Sequence, residues 1–293
     1  TNAIQYQYTN INTAGVTGSA SDLIRLAASG NVATGNTALL TRSVAGILIN
    51  SATPVTVNAA GFATLTVSNG GLLVAGGTSG SPVTHSIGSN LVVLGGNTYD
   101  LNLAVDANTT LDVQGVLRSS FNVTKTLPGT LQLSAKQYFN TGGNWFTVAA
   151  GKVILNAGNN TLYPGRNMAV GAGATLDLNG TTQTIGGLMT PEGARRYAGG
   201  VVTNSSATHA NLVTNNGGSW FFGGVISGNL SFLKAGGGHQ VFQVPQTYTG
   251  STYIGQTQLY LQDSGTLANT SSITTNTSNI ASNTASITTN TAD

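Results

Sequence analysis

Two stretches of the chain share one order of features: KTLPGTLQLSAKQYFNTGGNWFTVAAGKVILN (residues 125–156) and KAGGGHQVFQVPQTYTGSTYIGQTQLYLQ (residues 234–262). Each runs from a lysine through a glycine-containing turn to a strand-like segment, an aromatic residue, a Thr-Gly pair, a second strand, a glycine and a third strand. Internal similarity of this kind is the sequence signature of a repeat protein, in which each supersecondary unit stacks on the next.

Strand-like segments of the same type recur through most of the chain, with β-branched residues in alternation with polar ones. Clusters of glycine and asparagine separate them and supply turns that need positive φ. No comparable stretch before residue 268 has a sustained helical period. A sandwich, a barrel or a solenoid would fit many short strands, but 40 glycines and the internal similarity favour the solenoid. The segments are residues 53–57, 62–67, 99–105, 110–117, 130–133, 152–156, 175–178 and 257–261.

The composition describes a protein with an almost uncharged surface. The 293 residues are 40% hydrophobic but only 6% charged, against about 25% in ordinary globular domains. The basic residues are scattered, so the sequence predicts no nucleic-acid partner, which would need a dense basic stripe. The absence of cysteine excludes a thiol-dependent enzyme. No apolar run approaches the roughly 18 residues of a membrane helix, so we expect no direct membrane insertion by this segment.

The repeat unit resembles the autotransporter-associated β-strand repeat, which has the form Lys-x-Gly-x-Gly-Thr-Leu-x-Leu, Asn-Thr-Tyr-x-Gly-Gly-Thr and Gly-Thr-Leu. Residues 247–267, TYTGSTYIGQTQLYLQDSGTL, match its second half, and residues 46–77 and 171–188 resemble linking segments of such proteins. The turns at 126–131 and 235–241 depart from the glycine pattern. The resemblance covers about residues 40–267 and implies a right-handed parallel β-helix, exported and displayed on a bacterial surface.

A coil of 20 to 25 residues per turn would give about ten turns and a rod on the order of 50 Å long. The aliphatic members of the alternating runs should then point into a continuous core. These inward positions are Val55, Val57, Leu65, Val67, Leu101, Leu103, Leu131, Leu133, Leu176 and Leu178.

The C-terminal residues 273–293 form three near-copies of one heptad, ITTNTSN, IASNTAS and ITTNTAD. A buried residue every seven positions predicts a coiled coil. Thr and Asn are poor helix formers, so the helix requires partner chains that bury its isoleucines. A polar disordered tail and one more irregular solenoid edge are the alternatives. The isoleucines at the predicted oligomer interface are Ile273, Ile280 and Ile287, and the asparagines of the next layer are Asn276, Asn283 and Asn290.

The heptads resemble the stalk repeats of trimeric autotransporter adhesins and of some phage tail fibres. The resemblance implies a homotrimer in which rings of Asn276, Asn283 and Asn290 hold an anion, chloride, on the trimer axis. No other cofactor is expected. Buried polar layers of this kind select register and oligomeric state.

Residues that carry chemistry are few. Asp100, Asp106 and Asp112 form the only acidic cluster, which indicates either the outer-face site of a polysaccharide-acting β-helix enzyme or simple turn caps. The three histidines, His85, His209 and His239, have no partner at metal-ligand spacing and are predicted to be surface or turn residues. No catalytic, cofactor or metal site follows from these patterns.

The most charged segment is MTPEGARRYAGG (residues 189–200), which interrupts the strand pattern. We predict a protruding loop, in which Glu192, Arg195 and Arg196 are candidate contact residues. A solvated insertion without function is the alternative. The aromatic residues of 145–146 and 219–226 are interpreted as core or end-cap packing, and a sugar-binding platform is the alternative.

These observations predict an all-β chain with three parts: an N-terminal cap or start of the solenoid (1–40), a parallel β-helix (41–267) and a short coiled-coil stalk (268–293). The favoured function is a non-enzymatic structural segment of an extracellular adhesin, fibre or filament on a bacterial cell surface. Its partners would be copies of itself, as a trimer or an end-to-end filament, and a host-surface or glycan receptor. A phage tail fibre or spike and a polysaccharide-acting enzyme are the rival functions.

Overall fold

The computed structural model describes residues 23–26, 30–31, 40–59, 62–95, 100–139, 145–268 and 270–275. Within these residues the chain forms 29 strands joined by turns, and no helix. No helix of the described part has the length and apolar character needed to cross a membrane.

The first ten strands are β1 (Leu23–Leu26), β2 (Gly30–Asn31), β3 (Leu40–Asn50), β4 (Thr56–Asn58), β5 (Ala63–Ala75), β6 (Val83–Ile87), β7 (Leu91–Gly95), β8 (Leu101–Val105), β9 (Thr109–Val113) and β10 (Val116–Ser119). The next ten are β11 (Val123–Thr126), β12 (Thr130–Leu133), β13 (Tyr138–Phe139), β14 (Trp145–Val148), β15 (Gly151–Leu155), β16 (Asn167–Val170), β17 (Ala174–Asp177), β18 (Thr182–Ile185), β19 (Leu188–Met189) and β20 (Val201–Thr203). The last nine are β21 (Ala210–Asn215), β22 (Trp220–Phe222), β23 (Val225–Gly228), β24 (Leu230–Ala235), β25 (Gln240–Phe242), β26 (Thr247–Tyr248), β27 (Thr252–Ile254), β28 (Leu259–Leu261) and β29 (Ile273–Thr275).

The strands wind into a parallel solenoid with three faces. From β7 onward most strands pair in parallel with a strand of the following coil, so that Leu111 lies beside Leu131 and Leu131 beside Val153. The third face is a sheet of 10 strands, which confirms the expected number of turns. We call the faces by their strands: the first face holds β7, β10, β13, β18, β21, β24, β27 and β29, the second β8, β11, β14, β16, β19, β22, β25 and β28, and the third β2, β4, β6, β9, β12, β15, β17, β20, β23 and β26.

The long strand β5 bends from the first face onto the second. Its first half pairs with β7 and its second half with β8. Gly70 lies at the bend with φ +69°, and a Cβ there would overlap the carbonyl of Asp100. The glycine therefore permits both the left-handed backbone and the close approach of the next coil.

The core is one continuous stack of aliphatic and aromatic side chains inside the three faces. All ten residues predicted to point inward are buried, which confirms the period-two reading of the runs. Since every second residue of a strand faces inward, each coil contributes a layer and the layers fuse along the axis.

The two similar stretches are equivalent in structure but lie on different faces. Lys125 in β11 belongs to the second face, whereas Lys234 in β24 belongs to the first. Both lysine side chains are fully buried, and their ammonium groups donate to backbone carbonyls of the following corner. The acceptors are Thr126, Leu127 and Ala150 for Lys125, and Ala235 and Gly236 for Lys234.

A buried glutamine follows each lysine and joins two coils. The side-chain oxygen of Gln137 accepts from the Leu117 amide at 2.7 Å, and that of Gln246 accepts from the Ile226 amide at 2.7 Å. Each amide nitrogen donates to two carbonyls, of Gly115 and Ala135 for Gln137 and of Gly224 and Val244 for Gln246. The repeat is thus a set of side chains that satisfy the backbone where the chain turns a corner.

At the C-terminal end the described chain is still a strand. Residues Ile273–Thr275 form β29, which pairs with β27, and the Ile273 side chain is 42% exposed. The helix predicted from residue 268 is therefore not present at Ile273, because β-branched residues beside an open strand edge favour pairing. The other predicted stalk residues, Asn276, Ile280, Asn283, Ile287 and Asn290, lie outside the described residues.

Candidate functional site

A groove with a volume of about 810 Å³ lies on the outer side of the second face. Its floor consists of outward-facing residues in consecutive strands, where Thr124 lies beside Thr147 and Thr147 beside Ala169. These short side chains point outward because successive residues of a strand alternate between the two sides of the sheet. The floor is flat, and its backbone groups are already paired within the sheet.

One wall of the groove is the corner between the first and second faces. Here Asn122 binds both coils beside it: its backbone and side-chain nitrogens donate to the Asp100 carboxylate, and its side-chain oxygen accepts from the Trp145 amide at 2.8 Å. This ladder holds Asp100 and Trp145 at the groove edge, and both line the groove.

Two tryptophans form the upper part of this wall. The rings of Trp145 and Trp220 have centroids 4.7 Å apart and planes at 81°, an edge-to-face arrangement. A Cβ on Gly187, which lies between them along the corner, would overlap Cδ1 and Nε1 of Trp220. Glycine at this position lets Trp220 lie flat against the backbone and reach Trp145.

A buried arginine lies behind Asp100. Arg166 is 1% exposed, and its guanidinium donates to the carbonyls of Phe121 and Trp145 at 3.1 and 2.8 Å. Burial lowers its pKa to about 10, and the negative charge of Asp100 opposes that shift. Since the arginine remains charged at neutral pH, it offsets the charge of Asp100 at the groove wall.

The opposite wall is formed by residues 190–200, which belong to the segment 189–200 that the sequence predicted as a protruding loop. Glu192, Arg195 and Arg196 are exposed and line the groove, so the structure brings the predicted contact residues together with Asp100 and the tryptophans. In the described residues neither Glu192 nor Arg195 forms an ion pair. Both charges therefore face the groove.

The loop is anchored to β22 and the turn after it. The Thr190 amide donates to the Phe221 carbonyl at 3.0 Å, and the Thr190 hydroxyl accepts from the Gly223 amide at 2.9 Å. At the far end of the loop, Tyr197 adopts φ 64°, an unusual conformation for a bulky residue. The interaction of its hydroxyl with Asp263 raises the pKa of Tyr197. The loop is therefore held at both ends.

The predicted acidic cluster does not assemble. Asp106 caps its own turn through a 2.8 Å bond from the Ala107 amide, as the turn-cap alternative predicted. Asp112 lies on the third face, where it accepts from Gln114, Gln132 and Ser134. Of the three, only Asp100 lines the groove. The described residues contain no group of three histidine, aspartate or glutamate side chains that could hold a metal ion.

The prediction for His85 was wrong. It is fully buried, and its Nδ1 accepts from the Val55 amide at 3.1 Å, so the proton is on Nε2, which donates to the Ala75 carbonyl at 3.1 Å. Burial lowers its pKa, while the backbone contacts to Ala75 and Ser51 raise it. His85 therefore bridges two coils from inside as a neutral side chain.

His209 is exposed and forms an unexpected arrangement on the first face. Its Nε2 lies 2.9 Å from the Ser231 hydroxyl and its Nδ1 lies 2.8 Å from the Asn229 side-chain oxygen. A serine, a histidine and an orienting amide in this order resemble a nucleophile with its base. However, the Ser251 amide donates to the Ser231 hydroxyl oxygen at 2.9 Å, so this amide is not directed at a developing oxyanion.

Sequence reasoning missed the groove because its parts lie far apart in the chain. Trp145, Trp220 and Phe221 were interpreted as core packing, but the two tryptophans line the groove and Phe221 is 49% exposed. The neighbouring Phe146 and Phe222 are in the core, as predicted. For Trp145 and Phe221 the available signal was strand parity, because adjacent residues of a strand point to opposite sides and Phe146 and Phe222 are in the core. Trp220 has the same parity as the buried Phe222, so its place at the groove did not follow from the sequence.

Comparison with known proteins gives a partial similarity to a bacterial protein. Over 162 residues the chain is 29% identical to the Serine protease EspP of Escherichia coli and, equally, to that of Escherichia coli O157:H7. The match covers 50% of this chain and 11% of the relative. No family model matches the chain, and no solved structure matches it. The similarity and the β-solenoid fold together support the resemblance to autotransporter β-helix proteins.

Proposed function

We propose that the chain is a non-enzymatic, exported structural segment of a bacterial surface adhesin or fibre. The observation that carries this proposal is the single uninterrupted core inside the three faces of parallel strands. Such a rod should rarely unfold locally, because each coil is hydrogen-bonded to the next along its length. The role of the rod is to hold the groove and the exposed loop away from the cell. The proposal includes a right-handed solenoid, because parallel crossovers are generally right-handed.

The low charge supports an extracellular setting. In the described residues the polar surface is built from Ser, Thr, Asn and Gln ladders, such as the one that joins Asn156 to Asn179 at 2.9 Å. These ladders lose little strength as salt changes, whereas surface ion pairs are screened. The partial similarity to an E. coli protein is consistent with export of this chain. The rod-like solenoid adds the proposal that the chain is displayed on the cell surface.

Oligomerisation through the C-terminal heptads is part of the proposal. Ile280 and Ile287 would form the interface of a trimeric stalk, with chloride held by Asn283 and Asn290 on its axis. End-to-end stacking of solenoids into a filament is the other route to self-association. Light scattering distinguishes them, since a trimer has one mass and a filament grows with concentration.

The decisive experiment places an epitope in the full-length protein after Gly80, in the exposed turn of residues 78–82, where a Cβ meets nothing within 4 Å. Antibody labelling of intact native cells is the expected result. Labelling seen only after the cells are permeabilised would overturn the proposal of surface display. Electron microscopy of the purified chain should show rods with a length on the order of 50 Å.

A further inference from the structure

We propose that the groove on the second face binds an acidic oligosaccharide of the uronic acid class, which lies along the solenoid axis. This inference rests on the proposed function, since it names the ligand that the displayed rod would contact. The groove lies within the size range of small-ligand sites in proteins. It runs from Asp100, before β8, to Gln243, after β25, roughly 29 Å at one strand spacing per step.

The aromatic wall suits a sugar. An indole offers a large rigid apolar face together with a polar N–H, and a sugar ring offers apolar C–H faces together with hydroxyls. Trp145 and Trp220 are both half-buried, so their positions are set by packing before any ligand arrives. A preorganised aromatic wall loses little entropy on binding.

The floor provides hydrogen bonds at regular intervals. Thr124 and Thr147 stand in register one strand apart, and within the described residues their hydroxyls have no partner. A ligand with hydroxyls along its length would satisfy each in turn. A peptide would bind differently, because main-chain recognition needs an open strand edge and the strands of the floor are paired on both sides.

The charges select an acidic sugar over a neutral one. Arg195 and Arg196 face the groove, Asp100 is offset by Arg166 behind it, and Glu192 is the one acid of the described loop that remains. Arg195 forms no ion pair with a described residue, so its guanidinium is available to a ligand. A guanidinium binds a carboxylate through two parallel hydrogen bonds.

The chain provides its own reporter for this ligand. It contains only two tryptophans, Trp145 and Trp220, and both line the groove. All tryptophan emission therefore comes from the proposed site. We would titrate the chain with hexagalacturonic acid and, as the matched neutral probe, with maltohexaose, and follow the emission intensity and wavelength.

We expect a saturable change with the hexuronate and none with the neutral hexamer. Arg195→Gln should weaken the apparent affinity by about tenfold or more, as expected for loss of a charge-assisted hydrogen bond. The matched control is Arg118→Gln, an exposed arginine on the first face, which should change the affinity less than about twofold. Raising the salt concentration should weaken binding by the wild-type chain.

Three results would overturn the inference: no saturable change with hexagalacturonic acid, equal binding of maltohexaose, or full affinity in Arg195→Gln. Isothermal calorimetry on the same samples detects binding that does not change the tryptophan emission. None of these results bears on surface display, which the epitope experiment tests separately. Failure of the ligand proposal and failure of the proposed function are thus distinguishable.

Discussion

Trp145 and Trp220 contact each other edge to face, although the strands β16 and β19 lie between the strands that carry them. The contact runs along the solenoid axis and not across a sheet, and it depends on the absence of a side chain at Gly187. A glycine in one coil therefore determines the shape of a wall that several coils build.

Replacement of Gly187 with alanine should displace the Trp220 ring, because the new Cβ would overlap two of its ring atoms. We expect a shift in tryptophan emission and a loss of about 1–3 kcal/mol in the free energy of unfolding. Gly217→Ala is the matched control, since nothing lies within 4 Å of a Cβ there. Identical emission from the two variants would contradict this view of the wall.

The buried glutamines should be essential to stability. Gln137→Leu leaves the Leu117 amide without its partner inside the core, and we expect a loss of about 1–3 kcal/mol in the free energy of unfolding, measured with urea. Gln246→Leu should have a similar effect through Ile226. The exposed Gln114→Leu serves as the control, and a loss as large there would count against the assignment.

The buried lysines should make the protein more stable as the pH rises above neutrality. Burial lowers the pKa values of Lys125 and Lys234 to about 8, from an ordinary 10.5. Between these values the unfolded chain binds more protons than the folded chain, so the free energy of unfolding increases with pH. Urea unfolding from pH 8 to about 9.5, below the range where tyrosines ionise, measures this slope.

The double variant Lys125→Met/Lys234→Met should flatten that slope, whereas Lys136→Met, at an exposed site, should leave it unchanged. A slope that persists in the double variant would show that other groups cause it. Each single variant should also destabilise the chain at neutral pH, because the carbonyls around the ammonium group lose their donor.

Asp177 should control stability in acid. Burial alone would raise its pKa, but the 2.7 Å ion pair with Lys152 and hydrogen bonds from Ser205 and Asn179 hold the pKa below its ordinary 3.8. The stabilisation is therefore complete above the ordinary value and is lost as the pH falls through the lower folded value. The Asp177→Asn variant should be less stable than the wild-type chain at pH 7 and should lose less stability as the pH falls into the acid range. Urea unfolding at each pH measures both effects, and Asp112→Asn is the control.

The Ser231 hydroxyl should remain unreactive. Although His209 and Asn229 are arranged around it, the Ser251 amide donates to the hydroxyl oxygen itself and is therefore not available to stabilise an oxyanion. We expect no labelling by a fluorophosphonate probe. Labelling that disappears in His209→Ala would refute the non-enzymatic function and give this face a catalytic role.

Part of the architecture could be predicted because it depends on local pattern. Alternation in runs such as 130–133 and 175–178 decides which side chains face inward, whatever the neighbouring coil contains, and these positions are buried as expected. The loop of residues 189–200 was also visible, because charge is rare elsewhere. The His85 and tryptophan assignments failed because composition alone does not tell which side of a strand a residue occupies.

By itself, the sequence determined the repeating strands, the turns between them and the inward-facing side chains of each strand. Each of these features depends only on the pattern of a few neighbouring residues. Tertiary structure alone decided which coils meet. The Lys125 and Lys234 repeats are separated by a non-integral number of turns, so they lie on adjacent faces. Asp100 and Arg195 line the same groove because several coils are stacked between them. Which residues meet along the axis depends on the length of every intervening coil, and this cannot be read from a local stretch of sequence.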